Sequence, residues 1–267
     1  MHTSVIALIL FLVHSTCVSG QTVESPHFPP DFQQAVINSV VRIRDVTQGT
    51  SATGYIIGRA EYVYDIVTGW HVVDGVDNGS KFEVTFSPFT AADSSREVTV
   101  VAHRVSSDCA LLRVEHQAQY PVLSVCELNE LPDEPFPVLA VGFPAGELTC
   151  HESVVLGSTD FDASKYEVDG VFWRIRDQSQ GGISGSPLLI SQYGRPLVIG
   201  TWWGSAGTEG RCSHTSELRK FLREVRRSRP RNPHPPTTTV RPIDLVDATM
   251  QDLASELDRL AFTRLPR

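Results

Sequence analysis

The chain has 267 residues, of which 41% are hydrophobic and 20% are charged, and its formal net charge is -8 at pH 7. This length and composition allow a sizeable buried core, and the negative charge argues against a broad electrostatic surface for nucleic acid. We therefore expect no nucleic-acid partner. The basic run at 219–231 is interpreted as a solvated helix face, with a polyanion patch or a processing site at Arg226 to Arg229 as alternatives.

The first predicted element is a secretory signal peptide at residues 1–20. Nine apolar residues run from Val5 to Val13, too few to span the ~30 Å hydrocarbon core as a helix. The segment Val18-Ser19-Gly20 suits cleavage before Gln21. We expect the mature protein to be secreted, extracellular and free of the membrane after signal cleavage. Residues 21–30 are polar and rich in proline, which is typical of a disordered lead.

Short β-type runs dominate the chain from residue 40 to about residue 204. A short helix is predicted at about Asp31 to Ser39, because two prolines precede it, and the alternating pattern of residues 40–43 predicts a strand. The further strand patterns are Thr53 to Ile57, Val63 to Thr68, Lys81 to Phe86, Glu97 to Ala102, Cys109 to Val114, Val138 to Val141, Ser153 to Leu156, Val171 to Ile175, Pro187 to Ile190 and Val198 to Trp203. This many short strands predicts an all-β sandwich or barrel. The acidic, proline-rich segment Glu127 to Pro137 divides them into two groups.

Two helical patterns follow the strands. Apolar residues at i, i+3, i+4 and i+7 predict a closing helix at 215–227; they are Leu218, Phe221, Leu222 and Val225. Residues 228–242 are rich in proline, arginine and threonine and predict an extended linker. Residues 243–262 predict an amphipathic helix, with the apolar stripe Val246, Met250, Leu253, Leu257 and Leu260. The stripe indicates partner binding or self-association, or else a helix that docks on its own domain or forms only in part.

Four cysteines remain after the predicted signal peptide, which takes Cys17 with it. They are Cys109, Cys126, Cys150 and Cys212, and no two of them form a metal-type C-x-x-C pair. An even number in an exported chain makes two disulfides possible, with three connectivities. The alternative is that Cys109 is a small buried hydrophobic residue. We expect no metal and no cofactor.

Three residues that nucleophilic catalysis needs occur in the order histidine, aspartate, serine. Ser184 lies in Gly182-Ile183-Ser184-Gly185, His71 ends the run Thr68-Gly69-Trp70-His71, and Asp108 precedes a strand pattern. A serine is a weak nucleophile at neutral pH, so His71 would act as general base and then as general acid. Asp108 would hold the imidazole in the useful tautomer. The order is that of the chymotrypsin-type triad, which differs from the subtilisin order.

The glycine before the serine predicts where negative charge would be stabilised. Gly182 allows a tight backbone turn that directs its own N–H and the N–H of Ser184 at one point. Two such donors form an oxyanion hole for the tetrahedral intermediate of acyl transfer.

Several blocks of the sequence resemble the HtrA-type (DegP-like) serine proteases of the trypsin-like superfamily. Residues 49–74, GTSATGYIIGRAEYVYDIVTGWHVVD, are similar to that family's Gly-x-Gly-Phe-Ile-Ile and Thr-Asn-x-His-Val-Val block. Residues 108–114, DCALLRV, resemble its Asp-Leu-Ala-Leu-Leu-Lys-Val strand, and residues 138–146, VLAVGFPAG, resemble its Val-Leu-Ala-Ile-Gly-Asn-Pro-Phe-Gly segment. The resemblance covers about residues 30 to 227.

The resemblance implies a chymotrypsin-like fold of two six-stranded-type antiparallel β-barrels with a C-terminal helix. The protease domain would span 31–227, with barrel one at about 40–126 and barrel two at about 137–212. It also implies a substrate pocket shaped by Gln178, Trp202 and Trp203, which would accept a small or medium uncharged residue. No PDZ domain is expected, because roughly 40 residues after the closing helix are too few for one.

Two residues depart from the family pattern. Ile183 stands where trypsin-type zymogens have aspartate and HtrA-type enzymes have asparagine, which leaves open what supports the oxyanion loop. Trp70 is bulkier than the residue that relatives have before the histidine.

The function that these features predict is a secreted serine endopeptidase acting on a protein or peptide substrate. One alternative is a catalytically inactive protease homologue that serves as a binding module, which Ile183 and Trp70 would allow. Another is a viral-type processing protease of the same superfamily.

Overall fold

The structure is a computed structural model that describes residues 27–86, 95–163, 167–177 and 180–228. The predicted signal peptide, most of the linker and the predicted amphipathic helix with its five apolar residues lie outside the described residues. The described residues from 27 to 225 belong to one compact unit, and only residues 226–228 of a second unit, 226–267, are described. Within the described segments, the helices are too short or too polar to cross a membrane.

The first half of the chain folds into a curled, seven-stranded sheet. Its strands are β1 Val40–Asp45, β2 Ser51–Ala60, β3 Val63–Thr68, β4 Phe82–Phe86, β5 Arg96–Glu97, β6 Thr99–Arg104 and β7 Cys109–Glu115. They follow the order β5-β4-β1-β2-β3-β7-β6, and each neighbouring pair is antiparallel. In β4, residues 82, 84 and 86 are buried and the two between them are half-buried, as expected of a strand with one face on the core.

The second half forms a closed ring. Its strands are β8 Ser124–Val125, β9 Phe136–Gly142, β10 Thr149–Ala163, β11 Val168–Ile175, β12 Pro187–Gln192, β13 Arg195–Ala206 and β14 Glu209–Ser213. The order β12-β9-β10-β11-β14-β13 closes through antiparallel pairing of β12 with β13, and β8 adds in parallel to β13. Closure leaves these six strands without a free edge.

The described residues also form three α-helices, α1 Pro30–Ile37, α2 Trp70–Val73 and α3 Thr215–Ser228. The apolar stripe predicted for α3 is buried, and it packs with Phe28 and Phe32 near α1. This cluster also contains Tyr55 of β2 and Val198 of β13, so it joins the two halves. Each half has a further core of its own.

The predicted chymotrypsin-like architecture is confirmed. The two predicted groups of strands are both present, but the first is an open, seven-stranded half-barrel where a six-stranded barrel was expected, and six strands of the second close into a ring. The strand at 209–213 and the short helix around His71 were not predicted, and β10 is far longer than the expected run Ser153 to Leu156.

The expectation of disulfides needs correction, because Cys109, Cys126, Cys150 and Cys212 are all free thiols. The Cys109 thiol donates to the carbonyl of Ser107 at 3.3 Å, and the Cys126 thiol donates to the carbonyl of the next residue at 3.2 Å. Burial raises the pKa of Cys109 to about 12 and that of Cys126 to about 11. The alternative interpretation of Cys109 as a small buried hydrophobic residue fits this environment.

Candidate active site

His71 lies in the first turn that follows β3. The strand ends at Thr68, and Gly69 precedes the helix α2 that carries the histidine. A Cβ atom on Gly69 would lie 2.8 Å from Oδ2 of Asp108 and 2.9 Å from the imidazole ring. The histidine and the aspartate can therefore meet only because residue 69 has no side chain.

Asp108 holds His71 by two contacts. It follows a 3-10 turn at Val105–Ser107 and takes a left-handed conformation (φ 49°) before β7, a conformation that aspartate tolerates better than most residues. Its carboxylate is buried; Oδ1 accepts the backbone N–H of His71 at 2.8 Å, and Oδ2 lies 2.7 Å from Nδ1. An ionised carboxylate only accepts hydrogen bonds, so Nδ1 carries a proton and Nε2 of neutral His71 is the free base.

The pKa of His71 is raised above its usual value. Burial of the imidazole lowers this pKa, but the charge of Asp108, the hydrogen bond to it and the charge of Asp74 together raise it by more. Nε2 is buried and has no hydrogen-bond partner within the described residues. Asp108 therefore orients the imidazole through Nδ1, and Nε2 is available as the base.

The predicted nucleophile lies in a loop between β11 and β12, and the carbonyl groups of residues 181–184 in this loop all accept hydrogen bonds. The carbonyl of Gly181 accepts from the N–H of Ala145 at 3.0 Å, and that of Ile183 accepts from Ser186 at 2.9 Å. Thr53 of β2 binds the other two, donating its hydroxyl to Gly182 at 2.8 Å and its N–H to Ser184 at 2.9 Å. The first half of the molecule thus fixes the loop of the second.

These contacts orient the two predicted oxyanion-hole donors. In a trans peptide the N–H points opposite to the preceding carbonyl, so the N–H of Gly182 points away from Ala145 and that of Ser184 away from Ser186. Neither N–H has an acceptor within the described residues. Gly182 has a φ of 96°, and a Cβ atom there would lie 2.2 Å from the carbonyl of Phe143, so only glycine fits.

Ile183 supplies the support that the family pattern left open. Its side chain is 5% exposed and belongs to the core of the second half, beside Leu188 and Trp202. An apolar anchor thus holds the loop where relatives have a polar residue. The other departure, Trp70, stacks on the ring of His103 with centroids 3.8 Å apart.

Ser184 lies close to the segment that carries His71. A Cβ atom on the next residue, Gly185, would lie 2.2 Å from the hydroxyl of Thr68 and 3.2 Å from the nitrogen of Gly69. In this structure the Ser184 hydroxyl donates to the carbonyl of Trp203 at 3.5 Å, a long hydrogen bond. The structure therefore pairs His71 with Asp108 and directs the Ser184 hydroxyl to a carbonyl of the neighbouring strand β13.

The three predicted pocket residues differ in where they lie and in how deeply they are buried. Gln178 lies outside the described residues. Trp203 is half-buried, and its ring lies 5.0 Å from that of Phe161 and 6.4 Å from that of Phe172. Trp202 is fully buried in the core. Its indole therefore lies in the interior of the second half, and its part in a substrate pocket stays a prediction.

Sequence reasoning missed the residues that support the site. Thr53 makes four hydrogen bonds: the two to the loop, one from the N–H of Phe143 at 3.0 Å, and one from the hydroxyl of Thr68 at 2.7 Å. The only signal was its place inside the block that resembles the family's Gly-x-Gly motif. Tyr55 and Thr201 join the two halves through their hydroxyls at 2.7 Å, and nothing in their spacing indicated it.

Known proteins are similar to this chain in sequence and in fold. Residues 52–200 match the trypsin-like peptidase domain family. The crystal structure of the active form of Rv3671c protease from M. tuberculosis is 25% identical, with a TM-score of 0.59 over 78% of this chain and 94% of that one. An inactive mutant of Rv3671c from M. tuberculosis H37Rv is 26% identical, with a TM-score of 0.58 over 75% and 93%. The serine endoprotease from Yersinia pestis shares the fold at 20% identity, with a TM-score of 0.56 over 75% and 68%. Among curated proteins, none matches the chain significantly.

Proposed function

Because the chain belongs to the trypsin-like peptidase domain family, we propose that it is a serine endopeptidase that hydrolyses peptide bonds through an acyl-enzyme on Ser184. The resemblance to HtrA-type proteases is confirmed by the family match and by the solved structures with this fold. The observation that carries the proposal is that the buried carboxylate of Asp108 forms hydrogen bonds with both the backbone N–H and the ring of His71.

The first half of the reaction forms the acyl-enzyme. The Ser184 hydroxyl turns from the Trp203 carbonyl to Nε2 of His71 and gives it a proton while Oγ attacks the scissile carbonyl carbon. The N–H groups of Gly182 and Ser184 donate hydrogen bonds to the developing oxyanion, and one such donor contributes about 3 to 4 kcal/mol of transition-state stabilisation. The C–N bond then breaks, and the imidazolium returns the proton to the leaving amine.

The second half repeats these steps with water. Nε2 of His71 takes a proton from water, the hydroxide attacks the ester carbon, and the second tetrahedral intermediate uses the same two N–H donors. Ser184 leaves with the proton from the imidazolium, and the carboxylic acid product is released. Asp108 stays ionised throughout and stabilises the imidazolium each time it forms.

We further propose that the enzyme is exported. The support is the apolar run from Val5 to Val13 with its cleavage pattern before Gln21. Expression of the whole chain in a eukaryotic secretory host and mass spectrometry of the protein in the medium should find Gln21 as the first residue. Retention of the whole chain inside the cells would contradict this part of the proposal.

The test of the enzymatic proposal is labelling with a fluorophosphonate probe. Protein beginning at Gln21 is treated with the probe beside three variants, Ser184→Ala, His71→Ala and Ser191→Ala, and the adduct is located by mass spectrometry. Ser191 is an exposed serine of β12 and is the matched control. We expect an adduct on Ser184 alone, full labelling of Ser191→Ala and none of the other two variants.

A folded protein without an adduct across the neutral and alkaline pH range would contradict the proposal. Binding without catalysis would then be the remaining function, and the alternative of an inactive protease homologue would be favoured.

A further inference from the structure

The indole of Trp202 occupies the space beside the nucleophile loop. Trp202 lies in β13, where its N–H donates to the carbonyl of Ser186 at 2.8 Å and its carbonyl accepts from Gly185 at 2.8 Å. Its backbone therefore runs directly alongside the chain that follows Ser184. The side chain has no solvent exposure.

The surroundings of the indole are fitted to its size. Ile183 from the nucleophile loop, Ile175 at the end of β11 and Cys212 of β14 belong to the same buried cluster. A Cβ atom on Gly210 would lie 2.7 Å and 3.0 Å from ring carbons Cζ2 and Cη2 of Trp202. Any side chain at residue 210 would clash with the ring, so the absence of one there makes room for the indole.

The position of Ser184 connects this packing to substrate binding, and the argument rests on the proposed function. The Ser184 hydroxyl contacts the carbonyl of Trp203, so an acyl group on Oγ lies within a few ångströms of residues 202 and 203. We infer that the side chain of the acyl residue lies along β13 next to the nucleophile loop, because Oγ of Ser184 contacts that strand and β13 pairs with the residues that follow Ser184. The indole of Trp202 and the side chain of Ile183 already fill the interior there.

We propose that Trp202 is a specificity-determining residue that restricts the residue supplying the scissile carbonyl to a small side chain, namely glycine, alanine or serine. A larger side chain would have to displace a buried ring from a close-packed core. The indole N–H has no acceptor within the described residues. Because a buried donor without an acceptor is unfavourable, the indole N–H does not explain why a tryptophan stands here. The property that the inference uses is the volume that the ring fills.

The experiment measures a ratio within each protein sample. Internally quenched peptides of one sequence, varied only at the residue before the scissile bond, carry glycine, alanine, leucine or phenylalanine there. The kcat/KM values are compared for the wild type, Trp202→Val and Trp202→Ala. Trp173→Phe is the matched control, because Trp173 is a buried tryptophan of the same core whose N–H donates to Ile199 at 2.9 Å.

We expect the wild type to cleave the alanine peptide at least about tenfold better than the leucine and phenylalanine peptides. Trp202→Val should raise the leucine-to-alanine ratio about tenfold or more, and Trp173→Phe should leave it unchanged. A ratio does not depend on the fraction of folded enzyme, so partial destabilisation of a variant does not obscure it.

Two outcomes would overturn the inference. Wild-type enzyme that cleaves the phenylalanine peptide as well as the alanine peptide contradicts it without any variant. An unchanged ratio in Trp202→Val contradicts it as well. Fluorophosphonate labelling distinguishes failure of this inference from failure of the proposed function. If Ser184 is labelled and the ratio is unchanged, only the role of Trp202 is overturned. If Ser184 is not labelled, the proposed function and this inference are overturned together.

Discussion

At the scale of single residues, the charge of Asp108 sets both the tautomer and the pKa of His71. A general base works in its neutral form, so the rate falls as the pH drops through the raised pKa of His71. Asp108→Asn removes the charge that raises this pKa and lets Nδ1 become an acceptor. We expect labelling of Ser184 to slow by about 10³- to 10⁴-fold and the remaining acid limb to move to lower pH.

The measurement is the rate of fluorophosphonate labelling from about pH 5 to pH 9. Asp74→Asn is the control, because Asp74 raises the pKa of His71 through its charge alone, whereas Asp108 also forms a hydrogen bond with the ring. That variant should move the acid limb slightly to lower pH and keep most of the rate. An acid limb that stays in place in Asp108→Asn would show that another group titrates.

At the scale of elements, β2 positions the nucleophile loop through Thr53. Thr53→Val keeps the shape but removes the hydroxyl that donates to the carbonyl of Gly182 and accepts from the N–H of Phe143. The loss of each bond costs about 1 to 3 kcal/mol of stability. Because the carbonyl of Gly182 is then free to turn, we expect kcat to fall about 10- to 100-fold with a smaller change in KM.

Two further variants separate positioning from stability. Thr53→Ser retains the hydroxyl and should restore kcat to near the wild-type value. Thr215→Val removes a buried hydroxyl that donates to Ile199 at 2.6 Å at the start of α3. It should lower the thermal midpoint by a similar amount while kcat stays unchanged. If Thr53→Val lost stability but kept its kcat, Thr53 would be a structural residue only.

The same scale shows which parts of the fold the sequence could predict. Alternation in Phe82 to Phe86 and the helical stripe of α3 are local patterns, and both elements are observed. Strand β14 contains a glycine and two charged residues in five, so its sequence carries no strand signal, and pairing with β11 and β13 imposes it. Helix α2 has only four residues, too few for any periodicity.

Some residues of the candidate site could be predicted from the sequence, and others could not. The order of His71, Asp108 and Ser184 and the need for Gly182 follow from chemistry that sequence motifs carry. The roles of Thr53 and Trp202 depend on contacts between segments more than 100 residues apart or on the burial of a side chain, which local sequence does not encode. The resemblance predicted Trp202 as a pocket residue, but only the structure shows that its indole packs against Gly210 in the core.

At the scale of the whole molecule, a predicted export signal precedes a domain whose four cysteines form no disulfide. Cys109, Cys126 and Cys212 are buried, and burial raises the pKa of each thiol, so these groups stay protonated and shielded in the folded protein. Packing alone then provides the stability that small exported domains often take from disulfides. We expect dithiothreitol to leave the thermal midpoint of the chain beginning at Gln21 unchanged.

Alkylation with iodoacetamide provides the direct measurement for this prediction. Without reductant, the folded protein should react slowly at Cys109, Cys126 and Cys212, and the unfolded protein should take up four alkyl groups, one for each free thiol. Half-buried Cys150 is the internal reference, because it is the most accessible of the four and should react first. A protein purified from a secretory host that took up fewer than four groups before reduction would contain a disulfide, and the packing described for those cysteines would then be wrong.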